Sequence, residues 1–259
     1  MEVTFVNPGI DYMISQIMEF QAEDESAFWS EPLYHFYPQL DKAYAASLPF
    51  PKRREYIEHT MRKVYAELGD TINEKAALYS RQWEVCKEQI AAALSDAFCV
   101  DCVNLFNDIR CNVSMNPIEP RFLTAKSYDT FYLNSEKGAI GEGIHEIIHF
   151  VWLYVWNRLF QDSYDEYERP ALKWILSEMV VESIMKDERL SSINPYFRRE
   201  NGGCIYPYFF DMKADGKLIL DTLDDMYRTQ SIEEFMRNSY AYCIEHEAEI
   251  REHIRRSER

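Results

Sequence analysis

Glycine is scarce in this chain, with 8 residues among 259, and a long uninterrupted apolar run is absent. The longest apolar stretch, residues 144–160, contains Glu146, His149 and Arg158, so the sequence predicts no simple membrane span. The N-terminal residues have neither a basic start nor an apolar h-region. We therefore expect no signal peptide and a cytoplasmic location.

Basic residues are in the minority. The sequence has 28 lysines and arginines against 44 aspartates and glutamates, a formal charge of -16. Nucleic-acid backbones and anionic membranes both require a cationic surface, so we expect neither as a partner. A cationic substrate would suit this charge, although many proteins are acidic for solubility alone.

The six cysteines do not follow the spacing of a disulfide framework. Free thiols in a reducing cytoplasm are therefore expected. Cys99 and Cys102, with Cys111 beyond them, could supply half of a structural zinc site. Because no second CxxC or CxxH pattern is present, the sequence favours buried thiols over a metal site.

Periodicity of about 3.6 residues predicts a mostly helical protein. Four helices are predicted in the first part of the chain, over residues 8–23, 33–46, 51–68 and 71–97. The breaks between them coincide with Pro49 to Pro51 and with Gly69-Asp70, which are typical helix terminators. Further helices are predicted at 140–161, at 168–186 and from Ser231 onward.

Short segments rich in β-branched and aromatic residues begin after about residue 97. They predict the strands of a small sheet over residues 99–105, 110–115, 121–124 and 129–133. We therefore predict an α+β fold that is mostly helical, in which a small sheet packs beside the helix at 140–161. Residues 1–97 would form a helical N-terminal lobe, and residues 98–259 would form the core with C-terminal helices.

The sequence His145-Glu146-Ile147-Ile148-His149 spells HExxH inside a predicted helix. Residues i and i+4 share a helix face, so the two imidazoles can bind one zinc ion, with Glu146 placed to act on water. The surrounding residues 140–161 are apolar nearly all round the helix, which predicts a buried helix. A glutamate buried there without a partner would be costly.

Glu178 and Glu182 lie one turn apart on the next predicted helix, in an otherwise apolar stripe. Two such carboxylates raise each other's pKa unless a cation lies opposite. Zinc held by the two histidines would supply that charge. Two histidines, one of these glutamates and one open position make the composition of a catalytic zinc site. The other glutamate would then accept a hydrogen bond from a ligand histidine.

HExxH on one helix, with a glutamate of an ExxxD-type pattern on a second helix, resembles the gluzincin metallopeptidases, the thermolysin-like branch of the zincins. The resemblance covers residues 99–186 at most and implies a zincin-like core. It implies that His145, His149 and Glu178 are zinc ligands, that Glu146 is the general base, and that Glu182 is the acid that orients a ligand histidine. The opposite roles for Glu178 and Glu182 stay open.

The chain also departs from this family. Ser177 stands where an asparagine usually precedes the third ligand, Glu182 replaces the usual aspartate, and no GxMEN-type exopeptidase motif is present. The resemblance implies that Thr130–Asn134 is the edge strand along which a substrate is bound by β-augmentation. The residue that stabilises the oxyanion is left unassigned, and its candidates are Tyr206, Tyr208, Tyr240 and His246.

We therefore predict a zinc-dependent peptidase that acts on a peptide or protein substrate, and we assign it no oligomeric state. Three alternatives remain open at this point. The first is a catalytically inactive zincin fold that binds or regulates a partner. The second is a metal-dependent hydrolase of a non-peptide amide or ester. The third is a metal-free helical interaction protein.

Overall fold

The computed structural model describes residues 1–162, 167–195 and 198–258, with the side chain of Asn201 left out. Within these residues the protein has eleven α-helices, a four-stranded mixed sheet and a two-stranded antiparallel ribbon. The prediction of a mostly helical α+β fold is therefore confirmed. None of the described helices combines the length and the apolar character that crossing a membrane requires.

The four-stranded sheet has the order β1-β2-β4-β3. Its strands are β1 (Val3–Val6), β2 (Ile109–Ser114), β3 (Arg121–Phe122) and β4 (Ser127–Phe131). β1, β2 and β4 are parallel, and β3 pairs antiparallel with β4. The sequence analysis did not predict β1, because a four-residue strand becomes stable only when a distant strand pairs with it.

The prediction that Thr130–Asn134 forms a free edge strand is wrong. β4 lies inside the sheet, between β2 and β3. Beyond β3, the backbone N–H of Asp129 donates to the carbonyl of Pro120 at 2.9 Å. The N–H of Phe131 donates to the carboxylate of Glu119, also at 2.9 Å. The N–H groups of Asp129 and Phe131, which a substrate strand would need on this side of β4, therefore already have acceptors.

The strand predicted over 99–105 is also wrong. Residues Cys102–Leu105 form a short helix, α5, because the Asp101 side chain accepts a hydrogen bond from the N–H of Asn104 at 3.2 Å and caps it. All six cysteines are free; Cys102 and Cys111 are buried, whereas Cys99 is exposed.

One continuous helix, α4 (Phe50–Phe98), replaces the two helices predicted over 51–68 and 71–97. A glycine inside a helix costs only about 1 kcal/mol, and burial of Val64 and Ile72 on either side of Gly69 outweighs that cost.

The helix predicted over 33–46 is divided into two. α2 (Ala27–Phe36) ends before Tyr37, and α3 (Lys42–Ser47) begins after its N-cap, Asp41. The hydroxyl of Tyr37 donates to the carbonyl of Met115 at 2.6 Å, so this break fixes α2 beside the sheet.

Two buried helices form the centre of the molecule. They are α6 (Glu136–Phe160) and α7 (Leu172–Lys186), and α6 contacts α4, α7 and β4. α6 begins at its N-cap, Ser135, whose hydroxyl accepts from the N–H of Gly138 at 3.0 Å. The remaining elements are α1 (Ile10–Glu19), α8 (Glu188–Ser191), β5 (Lys213–Ala214), β6 (Lys217–Leu218), α9 (Ile219–Thr229), α10 (Ile232–Glu245) and α11 (Glu247–Ser257).

The start of α10 agrees with the sequence prediction. Ser231 is its N-cap, and Glu234 completes a capping box. The division of the chain near residue 97 stays a prediction. Two elements from before that residue contact elements from after it, since β1 pairs with β2 and α4 packs on α6.

We expect the two helical glycines Gly69 and Gly143 to respond in opposite ways to substitution by alanine. A Cβ at Gly69 would lie 3.7 Å from the Tyr65 ring, an ordinary contact, so Gly69→Ala should stabilise the protein by about 0.5–1 kcal/mol. A Cβ at Gly143 would lie 2.8 Å from the hydroxyl of the buried Tyr128, so Gly143→Ala should destabilise it by about 1–3 kcal/mol. Urea unfolding measures both, and equal effects would contradict the packing of α6 on β4.

Candidate metal centre

The structure brings His145, His149 and Glu178 together where α6 crosses α7. The Nε2 atoms of the two histidines are 3.1 Å apart. Oε2 of Glu178 lies 3.6 Å from Nε2 of His145 and 3.6 Å from Nε2 of His149. All three residues are at least nine-tenths buried. Three potential ligand atoms therefore form one small triangle, as the sequence predicted for these residues.

The size of this triangle fits a metal ion. Ligands about 2.0–2.1 Å from a tetrahedral zinc ion lie about 3.3–3.4 Å from each other, and the edges of 3.1, 3.6 and 3.6 Å bracket that value. His145 also has the correct tautomer, because its Nδ1 donates to the carbonyl of Cys204 at 2.9 Å and leaves a lone pair on Nε2. Nδ1 of His149 is buried without a hydrogen-bond partner among the described residues.

The pKa shifts of His149 and Glu178 favour the neutral imidazole and the ionised carboxylate that a metal ion binds, whereas the shift of His145 favours its protonated form. Burial, followed by the charge of Arg121, lowers the pKa of His149 to about 3, so its imidazole is neutral near pH 7. Burial opposes ionisation of Glu178, but Arg121 and the two histidines outweigh it and lower its pKa well below the usual value. For His145, nearby Glu178 and Glu146 outweigh burial and raise the pKa.

Arg121 belongs to the centre, although the sequence analysis did not identify it. Its Nη1 donates to Oε1 of Glu178 at 2.6 Å, which leaves Oε2 to face the imidazoles. The side chain of Arg121 is only 10% exposed, so the pair is a buried one. Arg121 comes from β3, and only the pairing of β3 with β4 brings it against α7. The local sequence therefore contains no signal for its role.

Glu182 does not take the position that the resemblance implied. Its carboxylate accepts from Nε of Arg199 at 2.9 and 3.0 Å and lies 2.7 Å from Nζ of Lys186. Neither histidine of the triangle donates to Glu182, since Nδ1 of His145 donates to the carbonyl of Cys204 and Nδ1 of His149 has no hydrogen-bond partner among the described residues. Glu182 therefore anchors the segment that carries Arg199, and of the two glutamates Glu178 is the one beside the imidazoles.

Glu146 lies beside the triangle and lines a cleft of about 450 Å³. Its Oε1 is 3.8 Å from Nε2 of His145, and its Oε2 is buried with no hydrogen-bond partner among the described residues. Burial, with a further contribution from Glu178, raises the pKa of this carboxyl in spite of His145 and Arg121. A carboxylate with a raised pKa is a better proton acceptor near neutral pH.

Two further glutamates, Glu119 and Glu142, line the same cleft. Burial raises the pKa of Glu119 to about 7, although three hydrogen bonds oppose the shift. Burial and the charges of Glu119, Glu146 and Glu178 raise the pKa of Glu142 well above its usual value. The sequence analysis identified neither residue, because nothing in the linear pattern shows that residues 119 and 142 meet.

Of the four candidates for oxyanion stabilisation, Tyr206 lines the cleft together with Glu146. The other three are not among its described lining residues. Tyr208 packs edge-on against Phe209 with ring centroids 4.6 Å apart. Tyr240 packs against Trp156, and Nδ1 of His246 is paired with Glu249 at 2.9 Å. Tyr206 is therefore the candidate that the geometry favours.

We expect Arg121→Gln to weaken the metal-free protein strongly, because it leaves the charge of Glu178 buried without its main counter-ion. Removal of one partner of a buried ion pair typically costs about 3–5 kcal/mol. The matched control is Arg62→Gln, which breaks a pair whose two side chains are 42% and 46% exposed and should cost less than about 1 kcal/mol. Denaturant unfolding in the presence of a chelator measures both, and similar losses would contradict the role of Arg121.

Comparison with known proteins adds no relative to this picture. No protein-family model, curated protein sequence or solved structure matches the chain. The centre consists of two imidazoles and a carboxylate in one triangle, with a second carboxylate beside them in a cleft.

Proposed function

We propose that the protein is a zinc-dependent hydrolase of the peptidase class, with a zincin-like core formed by α6, α7 and the small sheet. One observation carries the proposal. Nε2 of His145, Nε2 of His149 and Oε2 of Glu178 lie 3.1–3.6 Å from one another, while the unpartnered carboxylate of Glu146 lines the adjoining cleft. A cytoplasmic location stays part of the proposal, because all six cysteines are free, as is usual in a reducing compartment.

Zinc held by these three residues would supply a Lewis acid that polarises an amide carbonyl and acidifies water. Glu146 would accept a proton from the attacking water and deliver it to the leaving amine. Arg121 would keep Glu178 ionised and directed toward the imidazoles through the 2.6 Å contact.

Tyr206 would bind the substrate. Its ring lies in the cleft wall with those of Phe28 and Trp29. Burial and the charge of Glu178 raise its pKa well above the usual value, so the phenol stays protonated and remains a hydrogen-bond donor at every physiological pH. We assign it the donation of a hydrogen bond to the substrate carbonyl oxygen, which becomes negative during the reaction.

We expect zinc binding to require His145 and Glu178 and turnover to require Glu146. His145→Ala and Glu178→Ala should lose the bound metal, whereas Glu146→Gln should keep it and lose hydrolysis at least a hundredfold, the order of a missing general base. Metal analysis of purified protein and turnover of a peptide library measure the two effects. A chelator should also lower the melting temperature of the wild type, because zinc would bind only the folded state.

The controls lie outside the triangle. Glu136→Gln changes an exposed residue of α6, and Glu188→Gln changes an exposed residue of α8, directly after α7. Both should keep zinc. Full zinc occupancy in His145→Ala and Glu178→Ala would show that these residues do not bind the metal, and it would contradict the proposed zinc site. Bound zinc with no hydrolysis of any amide by the wild type would identify a binding or regulatory protein.

Hydrolysis of a non-peptide amide is a second candidate, and the sheet favours it. An extended peptide is usually bound by addition to a sheet edge, yet β3 and Glu119 already occupy the cleft side of β4. A small amide needs no such edge. The structure thus offers a reason for short substrates over long polypeptides.

We therefore expect short substrates to be preferred within the peptidase class. A dipeptide or tripeptide should be cleaved with a higher kcat/KM than a decapeptide that contains the same bond, because no free strand edge rewards the extra residues. Peptides of two to ten residues, built around one bond from the library, measure this dependence. A kcat/KM that rises steadily with peptide length would show that an extended peptide binds along a strand edge, and it would contradict the expected preference.

A further inference from the structure

The cleft beside the metal centre is lined by acidic side chains. Glu119, Glu142 and Glu146 all line it, and no lysine or arginine is among its described lining residues. The neighbouring glutamates of the centre are different, since Glu178 is paired with Arg121 and Glu182 with Arg199. The two glutamates of α7 are thus paired with arginines, whereas the three glutamates of the cleft have no basic side chain among its described lining residues.

Glu119 is held so that one of its oxygens stays available. Its Oε2 accepts three hydrogen bonds, from Oγ1 of Thr130 at 3.1 Å, from the N–H of Phe131 at 2.9 Å and from Nδ2 of Asn134 at 2.9 Å. Its Oε1 makes no hydrogen bond within the described residues. A carboxylate fixed by three donors on one oxygen is rigid, so the second oxygen is a preorganised acceptor.

An independent observation comes from Glu146. Its side chain is nine-tenths buried or more, at 3% exposure, and its Oε2 has no hydrogen-bond partner within the described part of the chain. An oxygen in this position can accept a hydrogen bond from a group outside the protein. Glu142 precedes Glu146 by one turn of α6, makes no ion pair within the described residues, and its carboxyl hydrogen-bonds to that of Glu146.

The walls of the cleft indicate the kind of cation. The rings of Phe28, Trp29 and Tyr206 line it, together with apolar Pro32 and Ile118. Its volume of about 450 Å³ exceeds the share of one water molecule, about 30 Å³, by more than tenfold. Aromatic faces attract organic cations, so an ammonium or guanidinium group on an apolar stem fits better than a bare metal ion.

Cationic side chains lie on the other side of Glu146. A smaller cavity of about 130 Å³ adjoins the cleft, and Arg121 and Arg169 line it along with Glu119 and Glu146. A cationic group would be repelled from that side and attracted to the side of Glu142. The charges on the two sides of Glu146 therefore favour one orientation of a cationic substrate in the cleft.

We propose that the cleft selects substrates that carry a cationic group, held by Glu119 between the aromatic walls, in the part of the cleft that Glu142 also lines. The inference rests on the proposed hydrolytic function for the placing of the scissile amide next to Glu146. The cation could be the α-ammonium group of a peptide or the side chain of lysine or arginine, which share the same recognition chemistry.

Binding is tested first, with probes that contain no bond to hydrolyse. The zinc-loaded protein is titrated calorimetrically with 2-phenylethylguanidine and with its uncharged isostere, 2-phenylethylurea. A guanidinium stays protonated and has no lone pair for the metal. The guanidine should bind at least about tenfold more tightly than the urea, as expected for one desolvated charge pair. Equal affinities, or no binding of either probe, would overturn the inference.

Glu119→Gln is the discriminating variant. Its amide oxygen can still accept from Thr130, Phe131 and Asn134, so the local structure should persist while the charge is lost. The ratio of guanidine to urea affinity should fall about tenfold in Glu119→Gln and should not change in the exposed control Glu136→Gln. An unchanged ratio in a folded Glu119→Gln, verified by its melting curve, would overturn the role of Glu119.

Hydrolysis then identifies the source of the cation. One arm compares a short peptide with a free and with an acetylated N-terminus, and the other compares lysine with norleucine beside the cleaved bond. A preference of tenfold or more in kcat/KM for either charged form supports the inference. Cleavage without any preference would overturn it and leave the proposed hydrolase intact. Selective binding of the guanidine without any cleavage would support the cation site and would contradict the proposed hydrolase.

Metal analysis tests whether the cleft binds a metal ion instead of an organic cation. A second divalent ion per chain that is lost in Glu119→Gln would show that the carboxylates hold a metal, and it would overturn the proposed organic cation. One ion per chain, retained in Glu119→Gln, supports the inference.

Discussion

The carboxylate of Glu178 is the point on which the centre depends. Its Oε1 receives Arg121 from the sheet, and its Oε2 faces both imidazoles of α6. A buried carboxylate is tolerated only when it is paired and hydrogen-bonded. This one residue therefore joins β3, α6 and α7, and it keeps the histidines and a negative charge at ligand distance in the interior.

The rest of the fold supports that arrangement. Most of α6 is buried, and its two histidines are held there by the carbonyl of Cys204 and the carboxylate of Glu178. The carbonyl of Cys204 and the long helix α4 constrain α6 from two directions. Glu119 has two tasks, since it closes the side of β4 and presents one oxygen to the cleft. The centre therefore combines buried, hydrogen-bonded residues with an adjoining cleft that is lined by glutamates and by no lysine or arginine among the described residues.

The sequence correctly predicted features that depend on residues close together in the chain. The HExxH pair, the Ser231 capping box and the apolar character of residues 140–161 all depend on spacing along one helix. Errors occurred where distant packing outweighed local preference. Gly69 did not interrupt α4, because buried residues on both sides hold the helix together. The segment at 99–105 became helical through the cap at Asp101.

The sequence by itself determined that two histidines and a glutamate share one face of a buried helix, because a helical repeat places residues four apart side by side. It also determined that a second helix carries two carboxylates one turn apart. Only the tertiary structure decided that Glu178 meets the imidazoles while Glu182 meets Arg199, and that Arg121, Glu119 and Glu142 join the centre. The physical reason is that these contacts depend on how helices cross and strands pair, which spacing along the chain does not encode.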